Sequence, residues 1–211
     1  MVTKARSSLK PRSKPAPEIY QLKVTLAEIE PPVWRRLLVP GEISLFKLHE
    51  IIQIAMGWTN SHLHQFVQGD TFYGIPDDDF EDAHPIRDER EYTLAKVLPK
   101  KGRKIVYEYD MGDCWQHVVE MEEIHAPKGW QLNPQCLDGA RRCPPEDVGS
   151  TPGYENFLAA IKDPKHSEHD ELLEWVGGNF DPEAFSAEIV NQDLKELVKA
   201  GSLEALWPGE E

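Results

Sequence analysis

Tyr20, Leu22, Val24 and Leu26 alternate with Gln21, Lys23 and Thr25, the pattern of a strand buried on one face. Glu30-Pro31-Pro32 breaks that alternation. Val33 to Val39 then predicts a second strand, ended by Pro40-Gly41, and the short gap makes the pair an antiparallel hairpin. At Ser44 the period changes. Leu45, Leu48, Ile51, Ile52, Ala55 and Met56 recur at helical spacing, with Ser44 suited to the N-cap and Gly57 to the C′ position. Leu63 to Val67 and Thr71 to Ile75 predict a hairpin about Gly69-Asp70. Thr93 to Leu98 suits a short helix, and Lys104 to Glu123 a third hairpin turning through Asp110 to Asp113.

Residues 126–152 are rich in Pro and Gly, lack periodicity and are expected to form an extended loop. Three helices follow. The first is capped at Thr151-Pro152 and stops before Asp163-Pro164, and the second runs from Ser167 to Gly177-Gly178. The third runs from Asp181-Pro182 to about Ala200-Gly201. The expected fold class is α+β. It is a mixed, mainly antiparallel sheet built from hairpins with a helix packed on one face, then the long Pro/Gly loop and a C-terminal three-helix segment. Residues 18–207 are expected to form one domain, with 18–125 as sheet and helix core, 126–152 as loop and 153–207 as helical part.

Composition supports a packed core: the 211 residues are 40% hydrophobic and include six Trp, seven Phe and six Tyr. Apolar runs are too short for a membrane span, and no N-terminal apolar segment suggests a secretory signal. The three cysteines, Cys114, Cys136 and Cys143, are odd in number and form no CxxC pair, which points to a reduced, cytoplasmic protein.

Charge divides the chain. Residues 1–17 carry Lys4, Arg6, Lys10, Arg12 and Lys14 with no acid, so with a total of −14 the remainder bears −19. This Pro/Ser-rich arm is expected to be disordered, either as a solvated tail or as a contact for nucleic acid or an acidic partner. The acidic body disfavours direct DNA binding, because phosphate contacts need Lys and Arg. Residues 76–91 hold eight acids and are expected to form an exposed loop, without the ligand spacing of a calcium-binding EF-hand.

Four clusters carry candidate chemistry. In the third hairpin, Asp110 and Gly112 are explained by the turn, which leaves Asp113, Trp115 and His117. Trp115, His117, Val119 and Met121 share one strand face, so His117 is either a satisfied core residue or a ligand contact. His62 and His64, two apart on an expected strand, project to one side. With Asp113 or His117 completing the shell they could chelate a metal, or they could cap the helix end or hydrogen-bond each other's backbone. Trp34 and Arg35 lie in Pro31-Pro32-Val33-Trp34-Arg35-Arg36, where the arginines point to opposite faces. Edge-strand charges around a buried Trp34 indole compete there with an Arg that binds a carboxylate or phosphate. Last, Cys143-Pro144-Pro145-Glu146-Asp147 offers Glu146 or Asp147 as an acid/base or cation-binding group, as a cap for the next helix, or as a partner for Arg141 and Arg142. No phosphate loop, GxSxG elbow or HExxH helix occurs in the sequence.

In order, Pro31 to Arg36, Leu48 to Trp58, His62 to Phe66, Tyr107 to His117, Cys143 to Gly149 and Pro152 to Tyr154 resemble the motifs of the plasmid pRiA ORF-three-like family. Trp175, Phe180-Asp181-Pro182 and Phe185 extend the likeness to roughly residues 18–195. The resemblance implies an α+β domain found on microbial chromosomes, plasmids and mobile elements, with no established activity. Val148 stands where many members have a second cysteine, which weakens a three-thiol metal site. A resolvase label carried by some members does not suit this acidic chain, which lacks the Tyr-x-Arg-x-Ser strand of a serine recombinase. The expected function is a non-enzymatic binding or adaptor module with a polar, aromatic-lined groove and a protein or small-molecule partner. The rival is a metal-assisted hydrolase or transferase using His62, His64, Asp113 and His117. No cofactor is named by these residues.

Overall fold

The computed structural model describes residues 17–76, 84–126 and 133–199. The basic segment over 1–17, apart from Pro17, lies outside these residues, as does the chain beyond 199. Eight strands form one sheet: β1 (Ile19–Leu26), β2 (Trp34–Pro40), β3 (His64–Gln68), β4 (Thr71–Gly74), β5 (Ile86–Asp88), β6 (Lys104–Tyr109), β7 (Trp115–His125) and β8 (Gln135–Ala140). Their order across the sheet is β5-β4-β3-β6-β7-β1-β2-β8. Every pairing is antiparallel except β4 with β5.

Five helices accompany the sheet: α1 (Leu45–Met56), α2 (Leu94–Val97), α3 (Ser150–Lys162), α4 (His169–Trp175) and α5 (Ala187–Lys199). The predicted caps of α1 hold, since the Ser44 hydroxyl accepts from Lys47 N–H and Gly57 closes the helix at φ 90°. α1 lies against the face that carries Leu22, Val24, Tyr107, Val119 and Met121, all buried. The opposite face is polar: Arg36 donates to Glu122 at 2.7 Å, and Glu122 also accepts from Gln21. Buried apolar residues from Tyr20 in β1 to Leu194 in α5 form one cluster. Among the described residues no helix is long and apolar enough to cross a membrane.

Several expectations are corrected. The stretch 126–152 is not all loop, because β8 pairs with β2 at the sheet edge. Its apolar signal is weak, as Asp138 and Gly139 interrupt it, and the ladder with β2 supplies what periodicity lacks. Nor is 76–91 simply an exposed loop: β5 adds to β4, and Glu89 in the following 3-10 turn is fully buried. α3 is preceded by Gly149 at φ 92° and not by Thr151, and α5 begins at Ala187, with 181–186 in turns and bends before it.

The Pro31–Arg36 cluster is also inverted. β2 is flanked by β1 and β8, and the buried member is Arg35, not Trp34. Arg35 donates to the carbonyls of Trp34, Ala55, Ala140 and Arg141, bracketing β2, β8 and the end of α1. Trp34 lies on the polar face beneath Lys23 and Arg36. Four backbone acceptors satisfy the guanidinium, which makes its burial tolerable.

Candidate functional site

Three loops meet at one end of the sheet: 57–63 after α1, the β6–β7 tip at 110–114, and 143–149 before α3. Hydrogen bonds join all three. The Glu146 carboxylate accepts from Thr59 N–H at 3.1 Å, from the Thr59 hydroxyl, and from the Tyr109 hydroxyl at 2.6 Å. Trp58 Nε1–H donates to the Pro144 carbonyl, and Gly149 N–H donates to Asp113 Oδ2 at 3.0 Å. Asp110 N–H donates to the Leu63 carbonyl. Burial raises the Glu146 pKa, but the bonds from Thr59 and Tyr109 outweigh it and hold the carboxyl below its ordinary value. Burial, and then the bond to Glu146, raises Tyr109, which stays a phenol that donates.

Left-handed backbone conformations gather here. Of seven described non-glycine residues with positive φ, five lie in or next to these loops: Asn60, Asp110, Cys114, Asp147 and Ser150. Such conformations persist where tertiary contacts over-determine them, which favours a functional location.

His62 Nε2 sits 3.3 Å from Asp147 Oδ1 and 3.7 Å from Asp110 Oδ2. It is buried and has no hydrogen bond, because neither carboxylate meets it with the required geometry. Beside this cluster is a groove of about 520 Å³ lined by Trp58, Arg142, Pro144, Glu146, Trp175 and Phe180, among others. Trp175, 46% exposed, also borders a second cavity of about 360 Å³ that Asp147 and Asn156 help to line.

The histidines expected to share a metal have different surroundings. His62 precedes β3 in the loop, whereas His64 is in the strand, so the two do not project together from one strand face. His64 Nε2–H donates to both oxygens of buried Glu89, at 2.9 and 3.1 Å, and its ring stacks on His49 at 3.4 Å. His117 is fully buried, lies edge-on to Trp58, and has Nδ1 3.2 Å from the Tyr107 carbonyl. Burial holds its pKa down at about 4. Asp113 is engaged by Gly149. The set His62, His64, Asp113 and His117 therefore does not form one ligand shell. Trp115 is buried next to Trp58, and Trp34 and Arg35 are held by the contacts already described.

Residues 18–189 match the family described as plasmid pRiA4b ORF-3-like protein. The chain belongs to this family. A relative, the uncharacterized protein y4hQ of Sinorhizobium fredii (strain NBRC 101917 / NGR234), is 41% identical over 180 residues. That alignment spans 85% of this chain and 92% of the relative. The crystal structure of a protein of unknown function, MM3350 from Methanosarcina mazei Go1, superposes with a TM-score of 0.74 at 33% identity. It covers 82% of this chain and 96% of that one.

In this plasmid pRiA4b ORF-3-like chain, sequence reasoning passed over three features of the site. The turn by itself explains Asp110 in the sequence, yet it occupies only Oδ1, which accepts from Gly112 and Asp113 N–H. Its Oδ2 is left to face His62. Trp175 lies on a short helix and is named only through its motif. His49 and Gln53 are polar residues at helical spacing on the buried face of α1, a signal for a buried network. There His49 and Gln53 both meet the Tyr107 hydroxyl, while Asn60 meets His49 Nε2 and Gln53 Oε1.

Proposed function

We propose that this chain is a non-enzymatic binding module whose ligand lies in the groove between Trp58, Trp175 and Phe180. The observation that carries the reading is the half-exposed Trp175 facing a groove walled by loops that three-way hydrogen bonding holds in place. Preorganised aromatic surface of this kind gives up little entropy when a partner binds. The wall also holds charges of both signs, with Arg142 4.6 Å from the Phe180 ring and Glu146 at the rim. That chemistry fits a planar apolar body bearing an amine directed toward Glu146, whether a small molecule or a side chain of a protein partner. The acidic body favours such a ligand over nucleic acid.

The buried candidate groups support binding over catalysis. His117 and His49 are neutral and enclosed, held at about 4 and about 3 chiefly by burial, so neither serves as an accessible base. Burial pushes the Cys143 thiol up to about 12, far from a nucleophilic thiolate.

Titration with tryptamine, followed by ligand-observed NMR, tests the reading. Wild type should saturate, and Trp175→Ala should weaken binding at least about ten-fold, the loss expected when an aromatic anchor is truncated. Equal affinity in the two proteins, or no saturation in wild type, would remove it.

A further inference from the structure

We infer that His62, Asp110 and Asp147 form a binding site for a divalent first-row transition ion of the Mn2+ or Zn2+ class. The inference deepens the binding reading by placing a cation beside the groove, and it depends on that reading only for the location of the ligand-facing surface.

Each residue offers one donor atom, and the three atoms lie within 4.8 Å of one another. Ligands about 2.1 Å from a shared ion stand roughly 3.4 Å apart, so small side-chain rotations close the shell. Among the described residues this is the one such group of three histidine, cysteine or acidic side chains. It therefore replaces the set of His62, His64, Asp113 and His117 suggested by the sequence.

The donors are arranged as a ligand set. His62 Nε2 is buried, lacks a hydrogen bond and points between two carboxylates. The Asp110 side chain is only 9% exposed, and backbone N–H groups of the turn fix its Oδ1. That second tier of bonds orients the free Oδ2, as outer partners do around metal ligands. Asp147, 73% exposed, closes the set from the solvent side and leaves room for water or ligand atoms. Its loop is tied down through the bond between Gly149 and Asp113.

One imidazole and two carboxylates select the ion class. Calcium and magnesium favour all-oxygen shells, whereas an imidazole nitrogen among carboxylates suits zinc, manganese or iron. Two carboxylates balance the 2+ charge, and an acidic body raises the local cation concentration.

The test uses chelator-treated full-length protein and MnCl2, because Mn2+ has little affinity for the exposed Cys114 thiol. Electron paramagnetic resonance of free Mn2+ should show one saturable site per chain, and Zn2+ should displace the ion. Asp147→Asn and His62→Gln should each weaken binding at least about ten-fold. Asp147 has φ 60°, which Asn adopts readily, so that variant should fold and report on the ligand alone. Asp138→Asn, on the polar face, should bind as wild type does.

A wild type without saturable binding, or variants with unchanged affinity, would overturn the site. The two failures are separable. Trp175→Ala should keep Mn2+ affinity, so a chain that binds tryptamine but not Mn2+ rejects only the ion. The reverse result rejects only the groove.

Discussion

Tyr107 illustrates how single polar atoms are placed in this core. Its hydroxyl accepts from Gln53 Nε2 and meets His49 Nδ1 at 2.7 Å, so the phenol O–H donates to the imidazole nitrogen. Neutral His49 then carries its proton on Nε2 and donates to Asn60 Oδ1, while Asn60 N–H returns to Gln53 Oε1. The ring of bonds closes, with donor and acceptor matched at every step. Tyr107→Phe would strand two buried polar groups and should destabilise the fold by about 1–3 kcal/mol in urea unfolding. A loss below a few tenths would mean that water replaces the hydroxyl. Sequence alone marks the residues on α1, because His49 and Gln53 interrupt an apolar helix face. It does not mark Asn60 or Tyr107 as their partners, since those lie on other elements.

At the level of elements, loop 143–149 keeps its position through α3. A Cβ on Gly153 would clash with the Val148 carbonyl oxygen, a backbone atom that cannot rotate away. Glycine here permits the first turn of α3 to close against the loop that carries Glu146 and Asp147. Gly153→Ala should lower the thermal midpoint by an amount equivalent to about 1–3 kcal/mol and weaken Mn2+ binding along with it. An unchanged midpoint would show that the loop yields freely. The Pro152-Gly153-Tyr154 motif was visible in the sequence, but its reason was not, because the clash involves the fold of the preceding loop. β8 is hidden in the sequence on similar grounds. Its outer edge is covered by Asn191 of α5, whose side chain accepts from Cys136 N–H and donates to the Cys136 carbonyl. These bonds satisfy an edge strand that has little apolar alternation to announce it.

For the whole molecule, acid sensitivity follows from enclosure. Burial lowers His117 to about 4 and, with a smaller contribution from His64, lowers His49 to about 3. The unfolded chain takes up these protons near pH 6.5, so below that value it binds more protons than the native state and stability falls. The contribution is complete above about pH 6.5 and is lost as pH drops toward the folded values, by up to about 1.4 kcal/mol per pH unit for each histidine. Urea midpoints at about pH 7.5 and 5.0 should differ accordingly, and equal midpoints would contradict the buried neutral state. The sequence by itself determined the α+β class, the first three hairpins, the caps of α1 and the hairpin tip as a place of interest. Those features depend on local period, turn chemistry and capping, which nearby residues dictate. It also singled out Glu146 and Asp147 by type. Only tertiary structure decided that His62 joins Asp110 and Asp147 while His64 turns to Glu89. Side chains two apart in sequence diverge once a strand begins between them, and the partner each meets is supplied by a segment some 25 to 85 residues away. Linear pattern records which groups are present. Long-range packing decides which atoms face one another.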